Sequence, residues 1–327
     1  MSGLTGHTLY AILALRQAEE WTPSLVPLLK RHLASYLAGA YLGCDIQIMP
    51  EALCVDTGRE VGFGTVPLTA SPITGGAVRP WNLEHAGRRY RPSEIHRLFY
   101  GRAHLIFGWS KDETRLALSW DAVPDYAARV IQDWLALGER SESGLAWIYG
   151  WLVHVVTDSL IKSRQSGLKM HLIDGLYTPR NRPVQDLFAF HEIGIKELHL
   201  DWPSLFQSMA ETPIEAIQFH YMRCGPPSGV LADRFAEGWK PGDRELLKCV
   251  LKENRRWLVH HSAEVLKDMK LEMQGGTQIP SASLREWTGS ASYAQLMETA
   301  ERSGMRETLR ILAEESVHMF DHTLALL

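Results

Sequence analysis

Gly150-Trp151-Leu152-Val153-His154-Val155-Val156-Thr157-Asp158 is the stretch that decides the fold. It overlaps an apolar run from Gly144 to Val156, which is too short to span a membrane and reads as part of a buried helix over about 142–165. His154 and Asp158 stand one helical turn apart, so imidazole and carboxylate project from the same face. A carboxylate on a buried helix needs a partner. Either a metal ion supplies it, or a His–Asp hydrogen bond does and merely orients the helix.

Outward from this helix, the same 3.6-residue periodicity recurs along most of the chain. Thr5 is a candidate cap for a first helix through Leu9, Ile12, Leu13 and Leu15, and Thr22-Pro23 opens a second that runs to about Leu42. Ser93, after Pro92, starts a helix to about Phe107. Further helices are expected near 122–138, 183–199, 213–222, 229–237, 242–272, 291–303 and 305–325. Residues 50–92 differ, with Gly58, Gly62, Gly64, Pro67, Pro72, Gly75, Gly76 and Pro80 marking a long irregular loop, at most with a short hairpin. The alternation of strands and helices that builds a parallel sheet is absent. The expected fold is all-α: a multi-helix bundle with one loop at about 50–92. It is read as a single domain, with a helical bundle over 1–200 and a helical extension over 201–327.

Composition bounds the function. The chain has 327 residues, 34 Lys and Arg against 38 Asp and Glu, and a net charge of -4, which disfavours a surface built to bind nucleic acid. Four cysteines without a CxxC pair exclude a disulfide scaffold and a cysteine zinc knuckle. The N-terminal residues lack a basic n-region, and Arg16, Glu19 and Glu20 soon break the apolar pattern, so a cytoplasmic protein without a signal peptide or transmembrane segment is expected. Fourteen histidines make histidine spacing the informative signal, and eleven tryptophans suit either a core or a binding surface.

Several groups are candidates beside His154 and Asp158. His96 and His104 share a face of the 93–107 helix. Asp45 follows the small-residue stretch Ala38-Gly39-Ala40, which lets helices approach closely and aims a carboxylate between them. Asp186, His191, Glu192 and Glu197 share one predicted helix, with His171 and Asp174 upstream. Glu315-x-x-His318 is half of a di-iron pattern, but no second Glu-x-x-His accompanies it, so a surface helix explains it. His260-His261 after Arg255-Arg256 reads as a solvated face.

In order along the chain, His7, then Gly39-Ala40-x4-Asp45, then His96 or His104, then Gly150-Trp151-x2-His154-x3-Asp158 resemble the zinc-dependent phospholipase C and S1/P1 nuclease superfamily. The resemblance covers roughly residues 1–200. It implies an all-α bundle holding metal through His7, Asp45, His96 or His104, His154, Asp158, His171, His191 and Glu192. Lys162 and Arg164 stand where relatives often place a further histidine, and His191-Glu192 replaces a late His-x3-Glu.

The implied activity is a metal-dependent phosphoesterase acting on an intracellular small molecule or head group. The metal, expected to be zinc with iron or manganese as alternatives, activates water. Asp45, His154 and Asp158 are the catalytic set, and Arg97 and Arg102, within a basic Arg79–Arg102 stretch, contact phosphate. Two rival readings use the same scaffold: a non-haem iron oxidoreductase, and a helical binding protein without catalysis.

Overall fold

The computed structural model describes residues 3–42, 49–63, 68–71, 74–95, 98, 120–136, 138, 140–162, 181–213, 215–217, 219 and 242–327. Mainly α-helical architecture is what it shows. Chain order begins with α1 (Leu4–Trp21), α2 (Val26–Arg31) and α3 (Leu33–Leu42). Strands β1 (Pro50–Cys54), β2 (Glu60–Phe63), β3 (Val78–Pro80), β4 (Leu83–His85) and β5 (Arg88–Tyr90) come next. A 3-10 turn at Trp120–Ala122 leads into α4 (Val123–Ala136) and α5 (Glu142–Lys162). Then come α6 (Asn181–Leu187), a π-helix (Phe188–Glu197), α7 (Trp202–Glu211) and α8 (Asp243–Asp268). A hairpin of β6 (Leu271–Gln274) and β7 (Thr277–Pro280) precedes α9 (Ala282–Thr288), α10 (Tyr293–Arg302) and α11 (Met305–Ala325).

Helix α5 is the axis of the core. It is long and apolar enough to cross a membrane, but 94% of its apolar window is buried inside the protein, the position of a central core helix. Helices α1, α3 and α11 all pack on it, and α11 also packs along α1. The segment expected as an extension thus supplies a wall of the core around α5. Trp134, Trp147, Trp151 and Trp202 are all fully buried, so these tryptophans serve the interior.

Helices α3 and α5 approach each other backbone to backbone. A Cβ at Gly39 would stand 2.0 Å from the Trp147 carbonyl oxygen, and one at Gly150 would stand 1.9 Å from that of Tyr36. Only glycine permits this backbone-to-backbone contact. Tyr36 adds a bond to α1, donating its hydroxyl to the Ala11 carbonyl at 2.9 Å.

Several local expectations are corrected. The 50–92 loop contains an antiparallel sheet in the order β2-β1-β3, with Ala52 opposite Val61 and Leu53 opposite Arg79, and then the β4–β5 pair. Ala52, Cys54 and Val61 bury a small apolar cluster of their own, which outweighs the turn signals. The helix expected from Thr22 is broken at His32, whose backbone leaves the helical region. The helix expected to 272 ends at Asp268, and a hairpin turns through Gly275 and Gly276, both at positive φ. The first helix starts at Leu4, with Thr5 inside its first turn and Gly3 in the cap position.

Glu51 ties the sheet to the helical turn at 92–95. Its carboxylate is fully buried on β1 and takes Arg91 Nε at 2.8 Å and the Ser93 backbone N–H at 2.9 Å. The turn is thereby capped from a strand some forty residues earlier in the chain, whereas the sequence pattern points to Ser93 for that role.

Candidate metal centre

His7 on α1 and His154 and Asp158 on α5 meet in the core and are almost wholly buried. Position 7 lies one turn into α1, and the α5 pair occupies a single face, as the four-residue spacing requires. The two imidazole rings stack with centroids 4.3 Å apart and planes within 8°. Asp158 serves both rings: Oδ1 stands 3.7 Å from His7 Nε2 and Oδ2 stands 3.4 Å from His154 Nε2. One donor atom from each residue fits within a 4.8 Å span.

The ring of His154 is fixed from behind. Its Nδ1 lies 2.8 Å from the Ala40 carbonyl oxygen. A carbonyl only accepts, so Nδ1 carries the proton and neutral His154 presents the lone pair of Nε2 to Asp158. A lone pair facing a carboxylate at 3.4 Å is repulsive unless positive charge lies on the ring or between the two groups. Ala40 lies on α3, which packs against α5.

The donor set fits a metal ion. Tetrahedral zinc with bonds of 2.0–2.1 Å places its ligand atoms about 3.3–3.4 Å apart; His154 Nε2 stands 3.4 Å from one Asp158 oxygen and His7 Nε2 3.7 Å from the other. Among the described residues the group offers three ligands. A backbone carbonyl on the far nitrogen is the usual support for a ligating histidine. Tyr10 meets the His7 ring edge-on and Tyr41 lies at 6.4 Å from it, completing an aromatic wall.

The remaining expected ligands separate into two groups. Asp45, His96, His104 and His171, with Arg97 and Arg102, lie outside the described residues. His191 and Glu192 are described, and they face other partners. His191 Nε2 donates to the Met269 carbonyl at 2.8 Å, and burial pushes the imidazole below its ordinary pKa. Burial opposes ionisation of Glu192, yet hydrogen bonds from Lys196 and Tyr293 hold its carboxyl below the usual value. Neither joins the metal group among the described residues. Both ride on the π-helix, whose wider turn shifts side chains off the face that an α-helical count assigns them.

His261 is corrected from a solvated residue to a buried one. Its Nδ1 donates to Glu60 Oε1 at 2.8 Å, and its ring lies parallel to Tyr41. Sequence reasoning missed this pair because its members lie two hundred residues apart, on β2 and α8. His318 is on the surface, stacked on Trp21.

Comparisons of this chain with protein-family models, with curated proteins and with solved structures return no match.

Proposed function

We propose that this chain is a metal-dependent hydrolase of phosphate esters, with His7, His154 and Asp158 as resident metal ligands. The carrying observation is the buried convergence of His7, His154 and Asp158, with His154 Nδ1 on the Ala40 carbonyl and the two Nε2 atoms 3.4 and 3.7 Å from the Asp158 oxygens. Phosphate-ester chemistry comes from the superfamily resemblance, which adds Asp45 and His96 or His104 to the ligand set. A bound zinc ion would supply Lewis acidity and a water of near-neutral pKa. The Ala40 carbonyl turns the His154 ring so that Nε2 faces Asp158. The buried aromatic surroundings exclude bulk water and strengthen these interactions.

A second reading, non-haem iron oxidation, is favoured by the donor set itself, since two histidines and one carboxylate also suit iron. Elemental analysis of protein expressed without added metal, combined with hydrolysis of p-nitrophenyl phosphate and its bis ester, tests both. The expected result is stoichiometric zinc and hydrolysis that His154→Ala and Asp158→Asn abolish. Stoichiometric iron with an oxygen-dependent absorbance change and no hydrolysis selects the second reading. Protein free of any divalent metal overturns both.

A further inference from the structure

Tyr41 follows Ala40 on α3, so the carbonyl that holds His154 and a ring that flanks His7 come from consecutive positions. The His7 imidazole has three aromatic neighbours. His154 stacks on it at 4.3 Å, Tyr10 meets it edge-on at 5.7 Å, and Tyr41 lies at 6.4 Å, tilted by 46°. The orientation of a ligating imidazole decides whether its lone pair is aimed at the ion, so groups behind the ligands tune affinity.

Tyr41 is itself only partly buried, so core packing alone does not enclose its ring. His261 of α8 lies parallel to it, within 9° and with centroids 6.3 Å apart, inside the range of offset aromatic pairs. His261 is held in turn, its Nδ1 donating to Glu60 Oε1 at 2.8 Å. Both side chains are only 10% exposed, which shields this bond from water. Glu60 is set on β2 by its register opposite Leu53 of β1. One line of side chains therefore joins β2, α8, α3 and α1, four elements far apart in sequence, and it ends on His7.

We propose that Glu60, His261 and Tyr41 are positioning residues of the metal centre. The Glu60 carboxylate fixes the His261 ring, His261 fixes Tyr41, and Tyr41 holds the His7 imidazole with Nε2 directed at Asp158. This assignment rests on the reading of His7, His154 and Asp158 as metal ligands. None of the three supports is itself a ligand, and none acts by transferring a proton.

Zinc affinity of the full chain, measured by competition with a chromophoric chelator, tests the assignment. Tyr41→Ala, His261→Ala and Glu60→Ala are each expected to weaken zinc binding about tenfold, the lower end of the range for groups behind metal ligands. Tyr41→Phe keeps the ring, and Glu60→Gln keeps an acceptor for the His261 N–H, so both are expected to retain the wild-type affinity. Arg255→Gln cuts other ties of the same helix, to the Ala210 and Glu211 carbonyls at 2.9 and 3.1 Å, and is expected to leave zinc affinity unchanged. In metal-free protein with labelled histidine, the His7 ring resonances are expected to move in His261→Ala and to stay in Arg255→Gln. Nuclear Overhauser contacts of Tyr41 with both His7 and His261 are expected in the wild type, which keeps the test independent of variant folding. These spectra need no metal, so a wild type without zinc affinity refutes the metal-centre reading while the spectra still decide whether the line sets the His7 ring. Undiminished zinc affinity in folded Tyr41→Ala and His261→Ala, an equal loss in Arg255→Gln, unmoved His7 resonances or missing Tyr41 contacts overturn the assignment.

Discussion

His154 Nδ1 donates to the Ala40 carbonyl at 2.8 Å, across the backbone-to-backbone contact of α3 and α5. This bond determines which nitrogen is available to a metal. Neutral His154 is therefore expected in the Nδ1–H tautomer, and long-range proton–nitrogen spectra of labelled protein report that directly. Added zinc is expected to move the Nε2 resonance and leave the Nδ1 proton in place. A resident Nε2–H tautomer would sink the assignment of His154 as a ligand.

Metal should stabilise the fold. An ion bound only by the native state adds RT ln(1 + [L]/Kd), about 2.7 kcal/mol at a free concentration of 100 times Kd. Thermal melts with zinc and with chelator are expected to differ accordingly in the wild type. His7→Ala and Asp158→Asn are expected to abolish the increment. A wild-type melting temperature indifferent to every divalent metal would leave the group as a hydrogen-bonded core cluster.

Glycine at 39 and 150 is a requirement of the centre as well as of packing. An added methyl at either position meets backbone carbonyl, which cannot rotate away. Gly39→Ala and Gly150→Ala are each expected to cost at least about 1–3 kcal/mol, the usual range for overpacking. Prying α3 from α5 also separates Ala40 from His154, so metal affinity should fall with stability. Chemical denaturation and metal titration on the same variants check both effects.

The helical core and the α5 pair are legible in the sequence because helical spacing is a local code: four residues between His154 and Asp158 fix a shared face wherever the helix sits. His7 has no such local signature, and its place comes from the resemblance. The small sheet is obscured because Gly58 and Gly62 read as loop, while the Ala52, Cys54 and Val61 contacts that favour strands are non-local. The Gly275-Gly276 turn does carry a hairpin signal, between two four-residue strands, that the preceding helix periodicity masks. His191 and Glu192 look like metal ligands from their place along the chain. The π-helical turn and the Met269 carbonyl, seventy-eight residues away, redirect them, and no pattern in the 183–199 segment announces that.

Glu51 tests how far burial of charge controls the region after the sheet. It is fully buried and joined to Arg91 and to the Ser93 amide. Removing one partner of a buried pair leaves the other charge uncompensated, at a cost of about 3–5 kcal/mol. Arg91 is about one-quarter exposed, so Glu51→Ala is expected at the lower end of that range, about 3 kcal/mol. Glu84→Ala, which removes an exposed pair with Arg89, is expected to cost under about 1 kcal/mol. Denaturation midpoints of the two variants give the comparison, and equal effects would reject the buried bond as an anchor.

His191 provides a pH signature with a definite sign. Burial lowers its pKa below the ordinary 6.5, so the folded state holds fewer protons on this ring than the unfolded chain just below that pH. Stability therefore rises with pH through this window. The contribution is complete above about 6.5 and is lost as pH falls through the folded pKa. Glu192, held below its usual 4.5, acts in a lower window. His191→Gln keeps a side-chain N–H for the Met269 carbonyl and removes the titration. Urea midpoints at about pH 7.5 and about pH 5 are expected to differ less in this variant than in the wild type. Subtracting the two proteins cancels the other titrating groups. An unchanged difference would mean that the ring is not held neutral by its surroundings, and a larger one would reverse the sign of its contribution.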